Sequence, residues 1–184
     1  MRYRYRAVTT NALSFRAEQA GVFVVISGSA SRTRIIRRIK LSAFTIGTTL
    51  RVFSIVARKF SSPPTGGTAS ELTRVPVDAK FPAAATDGLI QVYVATGAPT
   101  DGTLVGVIAC KRVLFKSSTL VDGAECPEDE VEFCFVPKRK RFDVSPYGIY
   151  LHGTEQAVGL AFVGGPPATV AAGLEVEWDE EAGP

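Results

Sequence analysis

Few residues in this chain have the type and spacing that catalysis needs. His152 is its single histidine, so Ser-His-Asp or Cys-His chemistry would rest on that residue alone, and no G-x-S-x-G context supports it. A zinc site would have to combine His152 with Cys110, Cys126 and Cys134, which show neither C-x-x-C nor H-x-x-x-H spacing. His152 precedes Gly153 and reads as a surface histidine in a turn. Acids cluster over residues 125–132 and 175–181. An oxygen-rich calcium site could draw on Glu125, Glu128, Asp129 and Glu130, but their spacing matches no calcium loop, and a solvated acidic surface is the simpler reading. Walker and dinucleotide fingerprints are absent, and Gly164-Gly165-Pro166-Pro167 is a rigid turn that cannot cradle phosphate. The expectation is a protein that is not an enzyme and uses no cofactor or metal.

The cysteines divide by context. Cys110 sits inside an apolar strand and reads as an inert core residue. Cys126 lies in a loop before Pro127, and Cys134 shares a polar parity with Glu130 and Glu132, so both read as accessible. A Cys126–Cys134 bridge within one chain or between subunits is one reading. Free thiols are the other, and the general rule for a chain made in the cytosol favours them.

The elements carrying these residues are strands. Val, Thr, Ile and Phe are plentiful, Gly (17) and Pro (11) punctuate the 184 residues at short intervals, and no long stretch carries a helical apolar stripe. Over residues 33–60 the first half alternates, with Ile35, Ile39 and Leu41 on one parity and Arg34, Arg38 and Lys40 on the other, as in a strand with one wet face. The second half, LRVFSIVA, is apolar on both parities, as in a strand covered on both sides or lying at a subunit contact. Residues 2–9 alternate Arg2, Arg4 and Arg6 with Tyr3 and Tyr5, a strand or extended arm with a cationic and an aromatic face. Residues 11–20 read as a connection or a poor short helix, and VFVVI at 22–26 as a buried strand.

The excursion over residues 61–88, with four prolines, reads as an external loop that packs on a neighbour. Residues 103–116 form a long strand with Val105, Val107, Val113 and Phe115 on one parity, and residues 117–130 a second loop. Val131, Phe133 and Phe135 alternate with polar neighbours. Leu174, Val176 and Trp178 point in while Glu175, Glu177 and Asp179 point out. The fold class is therefore all-β: a β-sandwich or jelly roll of about nine to ten strands. A basic strand or arm over residues 1–20 is expected to precede a single sandwich domain over residues 21–184.

Charge is asymmetric. Residues 1–60 carry +11 and residues 61–184 carry −8, giving the net +3. Such halves can attract within one fold or between copies. The basic run Lys138, Arg139, Lys140 and Arg141 reads as a solvated turn, a nucleic-acid patch, or a partner for the acidic C-terminal strand across a copy-to-copy contact. RYRYR after Met1 lacks the apolar core of a signal peptide and no apolar run approaches membrane-spanning length, so a soluble protein made in the cytosol is expected.

The layout resembles a loosely related set of tailed-phage virion proteins over roughly residues 30–181. Three places carry the resemblance: the early arginine-containing strand pair; ASELTRVPVDAKFPAAAT (residues 69–86), followed by a strand, a turn and GTLVG (residues 102–106); and IYLHGTEQAVGL (residues 149–160) before a Gly/Pro turn and VEWDEE (residues 176–181). The resemblance implies a β-sandwich virion component: a capsid decoration (cement) protein on the capsid surface, or a related head, neck or tail part, made in the host bacterial cytoplasm. Its implied partners are the major capsid protein, copies of itself in a homotrimer, and other virion proteins, with no membrane. Assembly contacts are then expected from Arg2, Tyr3, Arg4, Tyr5, Arg6, Arg34, Arg38, Lys138, Arg139, Lys140 and Arg141. The competing class is a lectin-like module that recognises host surface sugar. It needs an exposed aromatic platform, and Trp178, the single tryptophan, falls on an inward parity. Nucleic acid is not expected as a partner.

Overall fold

The computed structural model describes residues 1–9, 13–16, 22–46, 51–93, 99–100, 102–115, 130–135, 148–163 and 169–182. Among them are thirteen strands and no helix: β1 (Arg2–Val8), β2 (Leu13–Arg16), β3 (Val22–Ser27), β4 (Arg32–Ile46), β5 (Arg51–Ser62), β6 (Ala69–Glu71), β7 (Arg74–Pro76), β8 (Ile90–Tyr93), β9 (Thr103–Phe115), β10 (Val131–Cys134), β11 (Ile149–Leu151), β12 (Ala157–Val163) and β13 (Thr169–Ala182). They form two antiparallel sheets, consistent with a β-sandwich. The first runs β10-β4-β13-β1-β7, with β11 also on β4 and β2 also on β13; the second runs β6-β8-β3-β12-β5-β9. The count exceeds nine to ten because short edge pieces pair inside stretches that read as connections. β2 lies within residues 11–20, and β6 and β7 lie within residues 61–88.

Alternation builds the first sheet. Tyr5 and Ala7 of β1, Leu174, Val176 and Trp178 of β13, and Phe133 of β10 turn one face toward the core, leaving the charged residues between them outside. The second sheet is apolar on both faces. Val24, Ile26, Ile55, Ala57, Val158, Leu160 and Phe162 meet the first sheet, while Val22, Val25, Val56, Phe60, Tyr93, Ala157 and Ala161 form a second buried cluster. Gly159 is needed between them, because a Cβ there would lie 2.6 Å from Val22 Cγ1 and 3.0 Å from Phe60 Cε2. Over Ile55, Val56 and Ala57, β5 is thus buried on both faces.

β4 and β5 are consecutive in sequence but do not pair. β4 takes its place beside β13, β10 and β11, and β5 beside β12 and β9. A strand with basic side chains on one face finds acidic partners in the first sheet, whereas a strand apolar on both faces fits inside the second. N-terminal residues 2–8 form a strand held on both sides, with Tyr5 opposite Trp178 on β13 and Pro76 on β7.

One irregularity resets the faces of β4. Ile36 pairs with Trp178 and Arg38 with Glu177, so Arg37 is an extra residue, a bulge that shifts parity. Beyond it Ile39 and Leu41 face the core as expected. Before it the faces exchange: Arg34 pairs with Glu180 on the inner face, and Ile35 with Asp179 on the outer. The expectation of Arg34 on a wet face and Ile35 beside Ile39 is corrected by this bulge.

Residues 61–88, read as an external loop, are mostly exposed but contribute two short strands to the sandwich. β6 extends the second sheet, β7 extends the first, and Leu72 between them is buried. The β6–β7 corner therefore closes one side of the sandwich, and β9 edges the second sheet on the opposite side.

Candidate functional site

The outer face of the first sheet is a ladder of alternating charge. Basic β1 lies on acidic β13, which lies on basic β4, which lies on β10 with its own acids. Asp179 is buried under three guanidinium groups, at 2.8 Å from Arg37, 3.0 Å from Arg4 and 4.0 Å from Arg2. Arg2 also pairs with Glu181, and Arg6 stands 3.7 Å from Glu175. Arg38 reaches Glu175 at 2.6 Å, Glu177 at 2.9 Å and Glu132 at 3.7 Å; Lys40 reaches Glu130 at 2.7 Å. The glutamates around Arg38 raise its guanidinium above the ordinary value against the opposing pull of burial, the largest single influence. Each exposed pair contributes little alone. Together they balance the charge of this face, so the described residues of the basic front and acidic back pair within one subunit.

At one end of the sandwich the same charges go inside. Arg34 and Glu180 are both 0% exposed and pair at 3.2 Å through Nε and Oε1. Trp178 Nε1 donates to the same oxygen at 2.9 Å, and the Arg34 guanidinium lies 5.3 Å from the Trp178 ring centroid. Glu180 Oε2 accepts from Arg32 at 2.9 Å and from the Ala85 backbone N–H at 3.0 Å. Arg34 also donates to the carbonyls of Ser27 (3.0 Å) and Ala85 (3.3 Å). Burial pulls its guanidinium below the ordinary value, against the opposing influence of Glu180. Gly88 packs on that guanidinium, where a Cβ would collide with it. Arg32 further reaches the Tyr5 hydroxyl and the Ala83 carbonyl, both at 3.2 Å; Tyr5 donates to the Pro82 carbonyl at 3.0 Å. Arg74 donates to the carbonyls of Ala85 (2.9 Å) and Gly88. The cluster fastens residues 82–88 across the sandwich end.

Asp87 completes that fastening. Burial pushes its carboxyl up, but hydrogen bonds from the Ser29 hydroxyl and the Ala30 N–H, both 2.7 Å, and from the Ser31 N–H at 3.2 Å outweigh this and hold it below the ordinary 3.8. A carboxyl depressed by folding contributes stability above its unfolded pKa, and loses that contribution as pH falls through the folded one. Asp87→Asn is therefore expected to lower the urea midpoint at neutral pH. The gap to the parent chain should narrow as pH drops below about 4, the ordinary carboxylate range.

Among the described residues, exposed apolar side chains gather at two edges, with Met1, Val8 and Val163 exposed elsewhere. On β9, Leu104 is 50%, Val105 62%, Val107 58% and Ile108 39% exposed; beside β7, Val75 is 55% and Val77 57% exposed. β9 was read as a long strand with Val105, Val107, Val113 and Phe115 on one parity and Cys110 in the core. Both parities are open and Cys110 is exposed, because β9 is an edge strand with bulges at Val105 and Ile108. The exposed Lys111 and Arg112 follow in the same strand. The other edges are short: β6 has three residues and ends on Glu71, and β7 has three and ends on Pro76. Such features blunt edge pairing.

Of the expected contact residues, Arg2, Arg4, Arg6 and Arg38 lie on the neutralised face in intrachain pairs, Tyr3 packs against the core, and Tyr5 and Arg34 are buried. Arg34 is thereby corrected from a contact residue to an interior one. Lys138, Arg139, Lys140, Arg141 and Cys126, with the proposed Cys126–Cys134 bridge, lie outside the described residues, as do Glu125, Glu128 and Asp129. Cys134 is exposed, as expected. His152 is exposed beside Gly153, with Nδ1 3.2 Å from the Thr33 hydroxyl. Among the described residues no three His, Cys, Asp or Glu side chains gather as a metal-holding group, and no helix is long and apolar enough to cross a membrane. No protein-family model matches the chain, no curated protein matches it, and no solved structure matches it.

Proposed function

We propose that this chain is a non-enzymatic structural subunit of a tailed-phage virion, a capsid decoration protein that binds the coat shell and copies of itself. One observation carries the reading. Among the described residues, the outer face of the first sheet pairs its charges within the subunit, while two apolar strips stay open at the lateral edges. A chain built so has contacts to make, and repeated weak contacts reinforce a shell through avidity. The neutralised face resists promiscuous charge pairing, so specificity falls to the strips and their rims.

Mass spectrometry of tailed-phage particles purified from the source of the chain tests this reading. The protein should accompany the coat protein in purified heads, in proportion to it. Its absence from intact particles, with expression in the infected cell, overturns the reading. Presence in tails alone would move it from decoration to a tail part.

A further inference from the structure

We infer that the β7 strip of one copy seats on the β9 strip of the next, head to tail. This deepens the assembly reading and rests on it for why copies meet. The topology places the strips on opposite sides of the sandwich. β6 and β7 share one side, joined through Leu72 and Thr73, and β9 lies at the far edge of the second sheet. A subunit with two different apolar patches on opposite sides suits a heterologous contact, in which each copy uses both patches and the chain of contacts closes into a ring or extends.

The alternative for β9 is twofold pairing with itself, strand to strand, to continue the sheet. The bulges at Val105 and Ile108 oppose that, since each interrupts the even spacing of backbone groups that a new strand would need. They turn aliphatic side chains outward, which favours side-chain packing over a ladder. Charge agrees. The β9 strip is followed by exposed Lys111 and Arg112, and no acid occurs in residues 102–115. The β7 strip ends on the exposed carboxylate of Asp78, with Lys80 two residues farther on. Two β9 strips bring cations to their contact from both copies. On the β7 side Arg6 and Arg4, beside Val75 and Val77, are already paired with Glu175 and Asp179, and Asp78 adds a carboxylate.

The test is complementation between two blocked subunits. Val107→Glu blocks the β9 strip and Val77→Glu the β7 strip; both positions are exposed, so circular dichroism and melting should match the parent. Each variant alone should run as a monomer in light scattering on a sizing column. An equimolar mixture should form a dimer, because the Val107→Glu subunit still offers β7 and the Val77→Glu subunit still offers β9. If either glutamate unfolds its subunit, Val107→Ser and Val77→Ser serve as the milder pair, with weakened self-association alone and partial recovery on mixing. Several outcomes overturn the inference. Val77→Glu keeping the parent mass while Val107→Glu loses it would mean β9 pairs with itself. Two variants that both keep the parent mass, or a mixture that stays monomeric, would place the contact elsewhere. A parent chain monomeric at every concentration would end the head-to-tail contact, yet leave the virion reading to particle composition.

Discussion

Replacing Glu180 with Ala should lower stability by about 3–5 kcal/mol, the usual penalty for breaking a buried ion pair from one side. For a chain of this length that is a fall in melting temperature of roughly 6–20 °C. The penalty arises because Glu180 is shared. Its removal strands the fully buried Arg34, and deprives Trp178 Nε1, Arg32 and the Ala85 N–H of their acceptor at once. Residues 82–88 then lose their fastening to the sheet, so faster amide exchange should appear there first. Glu180→Gln keeps an acceptor without the charge and should fall between. The double change Arg34→Met with Glu180→Leu should cost less than either single truncation, because it removes both buried charges. Thermal and urea unfolding of these three variants and the single change Arg34→Met measures this. A Glu180→Ala protein within about 1 kcal/mol of the parent, the size of an exposed ion pair, would mean the pair is solvated.

Trp178→Ala should cost a similar amount, about 3–5 kcal/mol, for a different reason. The indole fills the core at the junction of β13, β1 and β4, with its ring 5.8 Å from that of Tyr5 in a stacked arrangement and under the Arg34 guanidinium. Truncation opens a cavity that a sheet-on-sheet core cannot collapse into without moving β1. Trp178→Phe separates the two roles of the side chain. It keeps most of the volume but removes the N–H donor to Glu180, and should cost about 1–3 kcal/mol, as for a hydrogen bond to a charged group. Urea midpoints followed by circular dichroism give both values, since the single tryptophan is the residue removed. Because Trp178 and Glu180 share an oxygen, the double variant Trp178→Phe with Glu180→Gln should be less destabilised than the sum of the singles.

Much of the architecture was legible because alternation is a direct record of a face. Arg2, Arg4 and Arg6 against Tyr3 and Tyr5, and Glu175, Glu177 and Asp179 against Leu174, Val176 and Trp178, assign both sides of β1 and β13 correctly. The doubly apolar LRVFSIVA likewise gave a strand buried on both faces over Ile55, Val56 and Ala57. β4 was misassigned at Arg34 and Ile35, although the run Ile35-Ile36-Arg37-Arg38 carries the sign of a phase slip: two apolar residues followed by two basic ones cannot fit one alternation. Glu180 was overlooked for a related reason. It continues the inward parity of Trp178, and an acid on an inward parity calls for a buried cation, which the slip supplies as Arg34.

The apolar edges were not legible. Leu104 to Ile108 reads the same whether the strand lies inside a sheet or at its margin, and pairing order depends on contacts far apart in sequence. The same limit hid the match between the two charged halves of the chain. Composition allowed pairing within a copy or between copies, and only the placement of β13 between β1 and β4 assigns the described pairs to one subunit.

That assignment makes the account's central claim testable by mass alone. If charge is consumed inside the subunit and copies join through Val75, Val77 and the Leu104–Ile108 strip, the association should be apolar. Light scattering of the purified chain at low salt, and again at about 1 M salt where charges are screened beyond roughly 3 Å, should give the same multiple of the 19.6 kDa chain mass. An oligomer that falls to monomer as salt rises would contradict the account, because exposed charges would then be what joins the copies.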